Sequence, residues 1–317
     1  MLFAALSAGC ATQAASAEEY YSIGMAYFDL GKFDEAEKWL NRAKTANKTM
    51  IASEYNLGRI AFETKRYEEA AGIFEAILKK DQDNALALKA AAYSRIKTGE
   101  ISLAEKHYAR LLQLAPESAD SGYNHALVLY VMERYGEAEE VLERYPYALP
   151  DSAEMTLLYA RCLSAQNKAE AVDQYARWLE SNSDVKVRYE YAQILERNEL
   201  YARALEEYRK ALKDYGEKTT EPKKADLRFA VARLLLVADS ASEEGITEME
   251  AAVKDGFNDI EAAEELHKRE AVSADNKAKL AEIISNMKLA AEKNKPKEEP
   301  PAGTETVSET ETKETPQ

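Results

Sequence analysis

Residues 51–84 read IASEYNLGRIAFETKRYEEAAGIFEAILKKDQDN, and within them Ala70 stands three places after Tyr67 and four before Phe74. The same setting recurs on both sides. Ala36 lies between Phe33 and Leu40, Ala104 between Ile101 and Tyr108, and Ala138 between Tyr135 and Leu142, so the four alanines follow one another at a constant 34 residues. Any amphipathic helix places apolar residues three and four apart, but it does not keep that phase from one helix to the next over such a length. The physical cause is close approach. A small residue lets two helices touch, and the large one four places on fills the space beside them. A hairpin of this size cannot bury its own apolar face, whereas several stacked in phase bury a continuous core.

The slots around the alanines resemble the tetratricopeptide repeat, whose pattern runs W-x2-L-G-x2-Y, then A-x3-F, then P. Residues 17–50 supply Tyr20, Ile23-Gly24, Tyr27, Ala36 and Leu40, and residues 51–84 supply Glu54, Leu57-Gly58, Ala61, Ala70 and Phe74. Residues 85–118 give Leu88, Ala91-Ala92, Arg95, Ala104, Tyr108 and Pro116, and residues 119–152 give Gly122, His125-Ala126, Leu129, Ala138, Leu142 and Pro150. Two further units follow. Residues 153–184 carry Tyr159-Ala160, Leu163, Ala171 and Tyr175, one residue short in the loop QNKAE, and residues 185–216 carry Tyr191-Ala192, Leu195, Ala204 and Tyr208. The resemblance implies an all-α fold, a right-handed superhelical solenoid of antiparallel helix pairs.

Beyond Gly216 the phase weakens. Residues 217–255 include RFAVARLLLVA and EEGITEMEAAVKD and are expected to form a degenerate seventh helix pair without the alanine register, with Gly256 capping its end. Residues 256–293 hold two charged helices suited to closing a stack of repeats, the second capped by Ser273. Residues 294–317, rich in Pro, Glu and Thr, are expected to be a disordered tail.

The chain has 317 residues with 42 Lys+Arg against 57 Asp+Glu, a net charge of −15. That sign opposes binding to a phosphate backbone, and no nucleic-acid role is expected. Residues 1–16 begin MLFAALSAGCA, an apolar stretch too short to span a bilayer. Its end resembles the lipobox of bacterial lipoproteins, with Ser7, Ala8 and Gly9 before Cys10 and Leu6 one place further upstream than the strict pattern. That resemblance implies a signal peptide, acylation of Cys10 and a short tether. The protein would then sit in the bacterial cell envelope, lipid-anchored and facing the periplasm. The alternative reading is an apolar N-terminus with no anchor. Cys162, inside a first helix, is expected to be a packed residue rather than a reactive thiol.

Signatures of catalysis are missing from the sequence: no G-x-G, no G-K-S/T, no H-E-x-x-H and no G-x-S-x-G. The three histidines, His107, His125 and His267, are scattered, and His125 stands in a slot that the repeat buries. Acidic clusters at Glu137, Glu139 and Glu140 and at Glu243 and Glu244 fit carboxylates near helix N-termini. No catalytic residue, metal or cofactor is expected.

In proteins with this repeat the first helix of each pair lines the inner surface, and its second, fifth, ninth, twelfth and thirteenth places face the groove. Carried over, those places hold Tyr21, Met25 and Phe28, then Tyr55, Arg59 and Phe62, then Lys89, Tyr93 and Lys97. Further along come Tyr123, Leu127 and Tyr130, Leu157 and Arg161, and finally Tyr189, Gln193 and Arg197. Two readings of the tyrosines stay open: packing on neighbouring helices, or anchors for a bound protein or peptide. The family's carboxylate clamp is not matched, because Asn56 fits but Tyr21 and Met25 replace its first lysine and asparagine. The expected function is a non-enzymatic scaffold holding a partner in this groove. The alternative is a small-ligand or transport accessory protein with a pocket near Tyr93, Tyr123 and Arg161.

Overall fold

The computed structural model describes residues 16–239 and 241–293. Cys10, the lipobox-like stretch and the expected tail at 294–317 lie outside the described residues. All regular structure among the described residues is helical. The chain divides into two compact units, Met1–Ser183 and Asp184–Gln317.

The first unit holds five helix pairs: α1 (Ala17–Asp29) with α2 (Phe33–Ala46), α3 (Ile51–Glu63) with α4 (Tyr67–Leu78), α5 (Ala85–Thr98) with α6 (Ile101–Leu114), α7 (Ala119–Val131) with α8 (Tyr135–Glu143), and α9 (Ala153–Ala165) with α10 (Ala171–Ser181). Each helix packs on the next, and first helices also touch along α3–α5 and α7–α9. Ala36, Ala70, Ala104, Ala138 and Ala171 are all completely buried. The glycines show why small residues are needed. A Cβ on Gly24 would lie 2.8 Å from Leu40 Cγ, and one on Gly58 would lie 2.6 Å from Phe74 Cε1.

Start signals differ between the two helices of a pair. All first helices of this unit but α3, which is entered from Met50 without a side-chain cap, are capped by side chains, with Ser16, Asn84, Ser118 and Ser152 each accepting from a backbone N–H three residues on; Ser16 and Glu19 complete a reciprocal capping box. Second helices begin at Lys32, Arg66, Glu100, Arg134 and Glu170 with no side-chain cap. Each instead follows a tight turn through one left-handed residue: Gly31, Lys65, Gly99, Glu133 and Asn167, again 34 residues apart. The missing residue of the fifth pair is therefore lost after the turn, between Asn167 and Ala171.

The second unit contains α11 (Val185–Arg197), α12 (Tyr201–Lys213), α13 (Lys224–Ala238), α14 (Glu243–Lys254), α15 (Ile260–Lys268) and α16 (Ala274–Lys293). Asp184 caps α11, Glu199 at φ 60° makes the turn, and Ala204 and Tyr208 are buried as their slots require. The pair α13–α14 keeps more of the repeat than expected. Gly245 and Met249 stand four apart in the slots of the alanine and the large residue, both buried, and a Cβ on Gly245 would meet Leu236 Cγ at 2.6 Å. Leu280, Ile284 and Met287 of α16 join the core formed by Leu236, Ile246, Met249 and Leu266. Gly256, at φ 100°, turns the chain after α14.

Candidate functional site

The first helices of the first unit carry a face joined by side chains from one helix to the next. Asn56 of α3 donates to the Tyr21 hydroxyl of α1 at 3.1 Å, and its own carbonyl oxygen accepts from Arg59 at 2.9 Å. The Arg59 guanidinium lies over the Phe28 ring, 4.4 Å from its centre, in a cation–π contact. The face continues through Phe62 of α3, whose ring centre is 5.2 Å from that of Tyr93 on α5, with the Lys97 ammonium 5.4 Å from the Tyr93 ring. Lys89 then reaches Asp120 of α7 at 2.6 Å.

Exposure divides these residues into solvent-facing and packed. Tyr93 is 47% exposed, and Lys89 and Lys97 are exposed beside it. Tyr21, Met25, Tyr55, Arg59 and Phe62 are half-buried. Tyr55 rests on Phe74, ring centres 5.4 Å apart, so much of its area serves the α3–α4 contact. On α7, Tyr130 stacks obliquely on Tyr135 at 5.3 Å, while Leu127 and Tyr130 pack against the local core.

The cavity that Tyr123 lines takes in neither of the two residues expected beside it, Tyr93 and Arg161. It measures about 320 Å³, and Asp120, Ser152, Glu154 and Met155 also line it. Arg161 is two helical turns further along α9 than Glu154, and the Tyr93 ring packs on Phe62. Burial and the Glu154 charge hold the Tyr123 hydroxyl above its ordinary pKa, with Arg161 opposing. The cavity is acid-edged.

A cavity combining aromatic rings and arginines lies in the second unit instead. It measures about 350 Å³, and its walls include Tyr189, Arg197, Asp226, Phe229, Arg233 and Phe257. Phe229 and Phe257 stack at 4.2 Å, Tyr189 packs on Tyr208 at 5.6 Å, and Arg233 is held by both oxygens of Glu196 at 2.9 and 2.6 Å. Sequence reasoning placed Tyr189 and Arg197 on a groove face but missed Phe229, Arg233 and Phe257. The available signal was the four-residue spacing of Phe229 and Arg233 on α13, which sets both on one helix face.

Other titratable groups are engaged structurally. His125 is buried with Nε2 3.1 Å from Glu105. Glu139, expected near a helix N-terminus, is instead buried and receives Lys168 at 2.6 Å and the Gln166 amide. Burial pushes the Cys162 thiol up to about 12, which keeps it protonated and unreactive at neutral pH. Among the described residues no group of three or more His, Cys, Asp or Glu is placed to hold a metal ion, and no helix is long and apolar enough to cross a membrane.

In-phase helical hairpins with an aromatic and basic face along their first helices define a repeat protein built to present surface. Two models of the tetratricopeptide repeat match residues 27–92, 95–162 and 163–218, and the chain belongs to that family. A tetratricopeptide repeat protein from Parabacteroides merdae, 21% identical, aligns over 79% of this chain and 96% of its own with a TM-score of 0.55. YrrB, described as a TPR protein with an unusual peptide-binding site, is 18% identical over 61% of this chain and 96% of its own, with a TM-score of 0.51. Both likenesses concern the fold. A Treponema pallidum protein described as an uncharacterized lipoprotein is 25% identical over 142 residues, 45% of this chain and 72% of the relative.

Proposed function

We propose that this protein is a non-enzymatic scaffold, lipid-anchored through Cys10 on the periplasmic side of a bacterial envelope. It holds a protein or peptide partner on the first-helix face of its first unit. The observation that carries the reading is the linked strip Tyr21–Asn56–Arg59–Phe28 and Phe62–Tyr93–Lys97, which ends in an exposed tyrosine flanked by lysines. Tyrosine and arginine are the residue types that dominate interface energetics, because they combine large area with a polar tip. Lysines beside the ring suit a partner bearing carboxylates. The family and the peptide-binding description of YrrB support this use of the fold, and the lipoprotein description of the Treponema relative supports the anchor.

The test is site-specific photo-crosslinking in living cells. A photoreactive residue at Tyr93 should yield a discrete adduct, and one at Tyr147, which is 89% exposed on the loop after α8, should not. Equal adducts at both positions, or none at Tyr93, would remove the assignment. A second reading, small-ligand binding, is favoured by the second-unit cavity, whose volume of about 350 Å³ falls in the range of small-molecule sites. Phe229→Ala would abolish ligand-induced thermal stabilisation there without affecting Tyr93 adducts.

A further inference from the structure

The first helix pair carries a feature that the partner face does not use. From Lys38 to Ser53 the sequence contains Lys38, Arg42, Lys44 and Lys48 and not one acidic residue, in a chain of net charge −15. Lys44 pairs with Glu54 at 3.4 Å. Lys38, Arg42 and Lys48 are exposed and have no ion-pair partner among the described residues. Arg42 covers the Trp39 ring at 4.4 Å, and that ring lies 5.8 Å from Tyr20. Tyr20, Lys38, Asn41, Arg42, Thr45 and Ala46 surround an open hollow of about 420 Å³. Among the described residues no helix precedes α1 to cover it.

We infer that this end of the first unit docks on a bilayer surface through anionic phospholipid headgroups, with Lys38, Arg42 and Lys48 meeting phosphates and Trp39 and Tyr20 lying at headgroup level. The inference rests on the proposed acylation of Cys10. Ala17 follows Cys10 by seven positions, so a lipid anchor would keep the start of α1 within about 25 Å of the membrane. Tethering at that range makes even weak contacts effective. Charge complementarity chooses the surface. An acid-rich chain is repelled by anionic lipid except at a local basic patch, and each basic residue close to such a surface favours the docked state by roughly fivefold. Tryptophan and tyrosine are the aromatic residues enriched at membrane–water interfaces. Glu37, beside Lys38 on α2, is the nearest opposing charge and is paired with Arg66 at 2.8 Å; Asp34 and Glu35 lie in the first turn of the helix, which leaves the basic patch to its C-terminal half.

The experiment uses the full chain purified from membranes, with its mass determined, and reconstituted into vesicles of phosphatidylcholine alone or mixed with phosphatidylglycerol. Trp39 emission is obtained by subtracting the spectrum of a Trp39→Phe variant, since Trp178 is the second tryptophan. Nitroxide-labelled lipid should quench Trp39 in the mixed vesicles, weakly in phosphatidylcholine alone, and less as salt is raised. Lys38→Gln with Arg42→Gln should lower the docked-to-undocked ratio by roughly 25-fold, while the circular dichroism spectrum stays that of the parent. Quenching that ignores lipid charge, or an acylated protein whose Trp39 is never quenched, would overturn the inference. A mass without acyl chains would overturn the anchor, and the docking with it.

Discussion

Gly122 occupies a slot that holds Tyr20 in the first pair and Leu88 in the third, and the missing volume is returned from elsewhere. The ring of Tyr145, from the segment after α8, is buried over it, with its hydroxyl donating to the Pro116 carbonyl at 2.9 Å. A Cβ on Gly122 would lie 2.1 Å from Tyr145 Cε2, and the hydroxyl bond prevents the ring from swinging aside. Gly122→Ala should destabilise the first unit by about 1–3 kcal/mol, read by urea denaturation, and adding Tyr145→Leu should recover part of the loss. Charged residues fill other slots only with partners. Glu54 is buried between Lys44 and Lys80, at 3.4 and 2.7 Å. Arg95 is buried against Glu68, Glu75 and Glu100. The two-bond contact from Arg95 holds the Glu75 carboxyl below the ordinary carboxylate range, outweighing the effect of burial. A carboxylate with a depressed folded pKa contributes fully above its unfolded value, near 4.3, and loses that contribution as pH falls through the folded value. Glu75→Gln should therefore lower the Tm at neutral pH and flatten its decline on acidification; an unchanged Tm–pH curve would contradict this.

The helical hairpin was the most legible element, and what hid from the sequence lay mainly in its turns. Ala36, Ala70, Ala104 and Ala138 announced the pairing because a buried contact of this closeness excludes every larger side chain, and each is fully buried. The turn residues carry no such signature. Gly31 and Gly99 suit a left-handed backbone, but Lys65, Glu133 and Glu199 adopt the same conformation at φ 60–63° against their own preference. A non-glycine residue there costs about 1–2 kcal/mol, and the extra unfolded-state freedom of glycine returns about 0.5–1 kcal/mol of that. Glu133→Gly should thus raise stability by some tenths of a kcal/mol up to about 1, visible as a higher Tm. A lower Tm would show that the Glu133 side chain contributes more than its backbone costs. The α13–α14 pair escaped the register for two reasons. Glycine replaces alanine at Gly245, and 13 residues separate Ala232 from Gly245 where 12 separate Gly24 from Ala36. Glu139 was misjudged because sequence position near a helix start says nothing of the lysine that the next pair brings to it.

At the scale of the whole molecule, family resemblance located the candidate face but not which of its residues are available. Residue type does not distinguish a tyrosine packed on its neighbour, as Tyr55 is on Phe74 and Tyr189 on Tyr208, from one left in solvent, as Tyr93 is. Tyr55 and Tyr189 stand at the fifth place of their units, beside Phe74 and Tyr208, whereas Tyr93 stands at the ninth, and it is exposed although α6 carries the buried ring of Tyr108. The second-unit cavity was illegible for a related reason, since Phe257 enters it from the segment after α14, outside any repeat slot. A surface scaffold in this account needs no cluster of catalytic groups, and its buried Glu54, Arg95 and Glu139 are tied into ion pairs. Its function should therefore be lost by removing exposed area rather than by moving a proton. The most direct measurement is the affinity of the purified protein for the partner captured at Tyr93, compared between Tyr93→Ala and Tyr147→Ala. Loss of a true interface anchor costs about 2 kcal/mol or more, so Tyr93→Ala should weaken binding by roughly 30-fold while Tyr147→Ala leaves it unchanged. Unaltered binding by a folded Tyr93→Ala protein, or equal weakening by both substitutions, would contradict the account.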